Sequence, residues 1–198
     1  TGLPLAGRFL HPMSKPQARN YLVIPLDAAV YLVMALGIGD DAVLSLLRTF
    51  VKAKQEKMLL YLVTDRNGTL RKSVQTQFHH DLRIQVVTYT EQLDAYMSAA
   101  DVIITRPDSI ASTQAAVIHL PIVHMKASSE SETLNAEWFK QMGMSCYAGQ
   151  NEAVVDAALR LARDADRSER MREAQADCLH PYGARNAAGY IVGAGQKS

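Results

Sequence analysis

Cysteine is scarce in this chain: only Cys146 and Cys178 occur in 198 residues. Two thiols are too few and too far apart to suggest a metal cage or a disulfide framework, so each reads as a small core residue, as fits a reducing compartment. An excess of charge is missing as well, since 21 Lys and Arg stand against 20 Asp and Glu. No global field draws nucleic acid, and Lys52, Lys54 and Lys57 read as a solvated helix end. No apolar run approaches the ~18–20 residues that span a bilayer, so a soluble piece is expected. The six histidines form no H-x-x-x-H pattern, and G-x-S-x-G is absent around Ser128, Ser129 and Ser131. Hence neither a metal, nor a catalytic histidine, nor a serine nucleophile is assigned. There is no internal repeat and no low-complexity segment.

What is present suits one globular domain: 48% hydrophobic and 21% charged residues, in a length that supports a single sizeable core. The opening Thr1-Gly2-Leu3-Pro4 reads as a connector, and an excised domain with something preceding it is expected. Apolar runs bounded by turn residues recur at Val30–Leu36, Met58–Val63, Leu82–Val87, Val102–Thr105 and Pro121–Met125. Several are apolar on both faces, the mark of strands buried between two helical layers. Helical spacing fills the intervals, over Asp41–Lys54, Thr69–Gln77, Glu91–Ser98, Ser109–Val117 and Ser131–Met142, and then over Glu152–Arg163 and Asp166–Leu179 at a mainly helical end. This order predicts an α/β fold, a Rossmann-like doubly wound parallel sheet of about six strands with right-handed crossovers and helices on both faces. Ligands of such sheets sit beyond the carboxyl ends of the strands. The site is therefore expected on the loops Gly37–Asp41, Thr64–Thr69, Thr88–Glu91, Arg106–Ser112 and Lys126–Asn135.

Three features on those loops bear on chemistry. Gly37-Ile38-Gly39-Asp40-Asp41 follows the first strand and opens a helix, where free N–H groups and the helix dipole can hold a phosphate. It lacks the third glycine of a dinucleotide fingerprint and the lysine of a P-loop, so Asp40 and Asp41 serve equally well as a plain cap and first turn. Thr105-Arg106-Pro107-Asp108-Ser109-Ile110 is a second strand-to-helix corner able to meet an anion. There Asp108 is also a good N-cap, whose own carboxylate would take up those donors and repel a diphosphate. Glu132 and Asn135, one turn apart, can face the same cleft.

In this order the pieces resemble the carboxyl-terminal domain of the GT-B glycosyltransferases that include processive diacylglycerol glucosyltransferases, plant galactolipid synthases and the peptidoglycan N-acetylglucosaminyltransferase. The resemblance covers nearly the whole chain. Thr1-Gly2-Leu3-Pro4 through Phe9 is similar to the TGIPV…F linker, and Leu32 through Gly39 to the first strand and Gly-rich loop. Val63-Thr64-Asp65-Arg66-Asn67-Gly68-Thr69-Leu70 is similar to V-x-G-R-N-x-x-L. Val87-Thr88-Tyr89-Thr90 is similar to G-F-T, where an aromatic residue and backbone groups cover the uracil. Met97 through Asp101 followed by Thr105-Arg106-Pro107 resembles M-x-x-A-D…T-K-P, and Glu132 with Asn135 matches Q-E-x-x-N. The sequence departs where the donor would bind. Asp108 and Ser109 stand at two glycines of T-K-P-G-G-L-T-x-x-E-A, Gln114 replaces its ribose-binding carboxylate, Asp65 replaces a glycine, and Ser129-Glu130-Ser131 stands at P-G-Q.

The resemblance implies that residues 1–198 are a nucleotide-sugar-binding carboxyl-terminal domain, one half of a GT-B fold. Residues 1–20 would be an interdomain linker and 150–198 its helical end, with the acceptor-binding amino-terminal domain outside the chain. The implied activity is transfer of a hexose from a UDP-sugar to a lipid-linked acceptor. No cofactor and no metal are expected, the general base belongs to the other domain, and the fragment is expected not to turn over alone. The implied location is cytoplasmic, with peripheral association of the full-length protein at the inner membrane face. The donor-binding residues implied are Gly37, Gly39, Arg66, Asn67, Tyr89, Thr90, Arg106, Pro107, Ser109, Ile110, Gln114, Glu132 and Asn135. Two alternatives stay open. One is a degenerate, non-catalytic domain of the same fold with a regulatory or structural role; the other is a nucleotide-sugar epimerase, whose catalytic acids and bases the sequence does not supply.

Overall fold

The computed structural model describes residues 3–53, 57–66, 68–88, 90–179, 181–183, 188–189 and 192. Six parallel strands form one sheet in the order β3-β2-β1-β4-β5-β6. They are β1 (Ala29–Met34), β2 (Met58–Thr64), β3 (Ile84–Thr88), β4 (Val102–Thr105), β5 (Ile122–His124) and β6 (Cys146–Tyr147). The expected α/β, Rossmann-like sheet with helices on both faces is what forms, because its central strands are apolar on both sides: in β1 every residue from Val30 to Met34 is buried. On one face Tyr31 and Val33 pack with α2 (Asp40–Lys52), α3 (Thr69–Phe78) and α7 (Asn151–Arg163). On the other, Val30, Leu32 and Met34 pack with α1 (Lys15–Tyr21), α4 (Leu93–Ala99), α5 (Ser109–Val117) and α6 (Glu130–Gln141). Helix α8 (Ala165–Cys178) adds Met171 to the first core, while Ala174 and Cys178 lie against the second.

Several boundaries differ from the periodicity. The first strand stops at Met34 instead of running to Leu36, and the third begins at Ile84 because Leu82 is 80% exposed and supports no packing. The two-residue β6 was not anticipated; it pairs Cys146 with Val123 and Tyr147 with His124. Within the segment read as a linker, residues 15–21 form α1, which starts on a capping box between Ser14 and Gln17 with Pro16 in its first turn. Arg19 of α1 is only 4% exposed. It donates to the carbonyls of Ala99 and Leu26 and to the Asp101 carboxylate at 2.8 Å. Asp101 also accepts from Lys15 Nζ and from the Val30 backbone N–H, so one carboxylate ties α1 to the starts of β1 and β4.

Candidate functional site

Strand order reverses between β1 and β4, so the chain leaves these adjacent strands toward opposite faces and opens a crevice at their carboxyl ends. The loop after β1 supplies one wall. Gly37 takes φ +70°, a conformation that other residues adopt only with strain, and a Cβ there would stand 3.5 Å from the Arg106 guanidinium. Gly39 caps α2 with its backbone alone, and among the described residues the first N–H groups of that helix have no side-chain cap bond. These donors face the crevice beside the acids Asp40 and Asp41 in the first turn.

The loop after β4 supplies the other wall, and Arg106 spans the gap. Its Nη1 donates to the Gly37 carbonyl at 2.8 Å, and its Nη2 pairs with Glu132 Oε1 at 2.8 Å. Arg106 Nε is buried without a hydrogen-bond partner. The second carboxylate oxygen of Glu132 accepts from the Ser128 N–H at 2.7 Å and from the Ser128 hydroxyl at 3.0 Å. Asn135, one turn later on α6, donates to the Pro107 carbonyl at 2.9 Å. Glu132 and Asn135 therefore share a face, as their spacing suggests, and grip the 106–108 corner from α6. Both oxygens of Glu132 are engaged within the protein.

Asp108 caps α5. Its Oδ1 accepts from the N–H groups of Ile110 at 3.0 Å and Ala111 at 2.8 Å, while Thr105 Oγ1 approaches Oδ2 at 3.4 Å. The reading of Asp108 as an N-cap thus describes the folded chain. Ser109 is exposed and Ile110 is 65% exposed, and Gln114 lies half-buried one turn beyond Ile110. Pro107 is buried in the corner.

The remaining expected residues lie farther from this center. Arg66 is exposed on the loop after β2, next to β1. Thr90 follows β3 at the sheet edge, three strands from β4, and its hydroxyl accepts from the Gln92 N–H at 3.0 Å. Asn67 and Tyr89 fall outside the described residues. The geometry thus joins Gly37, Arg106, Pro107, Glu132 and Asn135 by direct bonds. Gly39, Ser109, Ile110 and Gln114 border them on the two helix starts.

The sequence reading passed over the polar lock beneath α5. His124, at the end of β5, has 0% exposure, with Ser112 Oγ 2.9 Å from Nε2 and Ser145 Oγ 3.1 Å from Nδ1. One serine donates and the other accepts, whichever ring nitrogen holds the proton. Burial pushes the imidazole down to about 4, so the ring stays neutral near pH 7 and holds α5 to the sheet from below. No sequence spacing announces these partners. The Ser128–Glu132 contact had a signal, since Ser129-x-x-Glu132 is a capping-box pattern and Ser129 Oγ accepts from the Glu132 N–H. Among the described residues no cluster of His, Cys, Asp and Glu could hold a metal ion, and no helix is long and apolar enough to cross a membrane.

The chain is similar to known proteins in sequence and in fold. Residues 40–184 match the model of the glycosyltransferase family 28 C-terminal domain. The processive diacylglycerol beta-glucosyltransferase of Bacillus subtilis is 25% identical over 177 residues, which is 87% of this chain and 45% of that protein. The chain therefore spans about half the length of the curated relatives it matches. Among solved structures, Acinetobacter baumannii MurG superposes with a TM-score of 0.72 at 17% identity, covering 96% of this chain and 55% of that one. WaaG, a glycosyltransferase involved in lipopolysaccharide biosynthesis, gives 0.72 at 13% identity with the same coverage. At those identities the superpositions speak for the fold alone.

Proposed function

Because the chain belongs to the glycosyltransferase family 28 C-terminal domain family, we propose that it is the donor-holding half of a GT-B glycosyltransferase. Its crevice receives a UDP-sugar, and the sugar passes to a lipid-linked acceptor held by the rest of the protein. The observation that carries this reading is the convergence of left-handed Gly37, the α2 start without a side-chain cap, and Arg106 at the β1/β4 reversal. Sugar transfer from a nucleotide diphosphate needs stabilization of the departing diphosphate. Free backbone N–H groups at a helix start supply that without reorganizing. The base that activates the acceptor would come from the other domain, so the 198-residue chain positions the donor without turning it over. The full-length protein would work in the cytoplasm against the inner membrane face, with no cofactor and no metal.

Titration of UDP and UDP-sugars into the isotope-labeled chain tests the reading. Saturable movement of the Gly37, Gly39, Asp40 and Arg106 amide signals is expected, and signals unmoved at millimolar UDP would overturn it. One observation favors a second reading, a non-catalytic domain of the same fold: the N–H groups that open α5 are already bonded to Asp108.

A further inference from the structure

His124 reaches more of the molecule than its two serines. It stands at the carboxyl end of β5, opposite Thr105 in the register of β4 and β5, so its backbone lies level with the corner that carries Arg106 and Pro107. Its ring meets three other segments. Ser112 of α5 lies 2.9 Å from Nε2, and Ser145, just before β6, lies 3.1 Å from Nδ1. Phe139 of α6 packs edge-on to the imidazole, with centroids 5.3 Å apart and planes at 70°.

Two of these contacts fall one turn behind residues that border the crevice. Ser112 follows Ser109 by three positions on α5, and Phe139 follows Asn135 by four on α6, the spacings of neighbors along a helix. One ring thus braces both helices around the 106–108 corner, where Glu132 and Asn135 of α6 hold Arg106 and the Pro107 carbonyl. The small Ala111 and Ala115 of α5 do little to set its distance from its neighbors. A fully buried ring, bonded at both nitrogens and packed against an aromatic edge, has a single orientation and does set it.

We propose that His124 is a positioning residue. Through Ser112 and Phe139 it fixes the spacing of α5 and α6, and with it the Arg106–Glu132 bridge and the Asn135–Pro107 clamp that shape the crevice wall after β4. The consequence for a nucleotide donor rests on the donor-holding reading; the positioning itself does not. Trp138 makes the arrangement observable. It is the only tryptophan of the chain, it is 41% exposed, and it packs edge-on to Phe139 at 5.2 Å. Imidazole, Phe139 and indole therefore form a ladder from the buried lock to the surface of α6.

Amide spectra, Trp138 emission and calorimetric titration of UDP, run on wild type, His124→Leu and His124→Gln, test this. Leucine cuts both hydrogen bonds, whereas glutamine keeps a donor and an acceptor for the two serines. In His124→Leu the Arg106, Glu132 and Asn135 amide signals and the Trp138 emission are expected to shift while the α2 signals stay in place. UDP is then held roughly tenfold more weakly, and glutamine recovers most of that loss. A folded leucine protein with unmoved signals and wild-type UDP affinity overturns the proposal. Shifts spread evenly over the whole chain, or equal losses in the leucine and glutamine proteins, overturn it too. Shifts of the expected kind in a set of proteins none of which binds UDP uphold the positioning role and remove the donor reading. Should the leucine protein not fold, Ser112→Ala decides, since it leaves the ring in place and cuts its tie to α5. Shifts confined to residues 105–112 and 132–139 then uphold the proposal, and any other pattern overturns it.

Discussion

Helices α2 and α5 begin at the same crevice and lie on opposite faces of the sheet, yet they are held in different ways. The underside of α2 is large and apolar, with Val43, Leu44, Leu46, Leu47 and Phe50 all buried. That of α5 is mostly small and partly polar, with Ala111, Ser112, Thr113, Ala115, Ala116 and Val117. Hydrophobic stabilization scales with the apolar area removed from water, so α2 is anchored by its side chains and its amino terminus is left free for other work. The alanines of α5 bury much less. Hydrogen bonds make up the difference: the Asp108 cap at its start, the Asn135 clamp on Pro107 and the Ser112–His124–Ser145 lock beneath. A helix start can be kept open for a ligand where the helix is secured elsewhere, and α5 is secured partly through its start.

The strongest way to break this contrast is Phe50→Ala. Phe50 is fully buried, its ring 5.5 Å from that of Tyr31. Truncation is expected to cost about 3–5 kcal/mol in urea unfolding, and a loss below about 1 kcal/mol would show that the apolar underside is not what holds α2.

Acid attacks the other helix. The His124 value falls from 6.5 to about 4 on folding, so the unfolded chain binds the proton first. Stability from this ring is complete above pH 6.5 and is lost as pH falls toward 4. The loss is about 3 kcal/mol at the low end of that window. Urea unfolding across the window should show a steeper pH dependence for wild type than for His124→Asn; parallel curves would remove the lock from the account of α5.

The smallest effect sharpens the contrast. Gly39 has a φ of −63° and open space where a Cβ would stand. Gly39→Asn should thus give α2 the side-chain cap it lacks and raise stability by a few tenths of a kcal/mol. Thermal unfolding would register this as an increase of about 1 °C. An unchanged or lower midpoint would mean that the α2 start gains nothing from a cap.

The sequence disclosed the parts of the fold that rest on repetition. Long apolar runs located five strands, and helical spacing located α2 through α8 to within a few residues, because burial on both sheet faces imposes a pattern along the chain. It concealed β6, since two residues carry no periodicity, and α1, whose seven residues bury only Ala18 and a charged Arg19. Ser14-x-x-Gln17 with Pro16 was the available sign of α1. At the site, Asp108 was legible as a cap because capping is local. The Arg106 bridge and the His124 lock join residues distant in sequence on different elements, and only the folded arrangement reveals them.

Asp101 also governs timing. A helix of seven residues does not persist alone in water, and Arg19 of α1 finds its carboxylate 82 positions downstream. During synthesis α1 therefore emerges long before its anchor exists. Its anchorage is complete only once β1 and β4 have come together, so α1 takes its place after strands that are made later than it is.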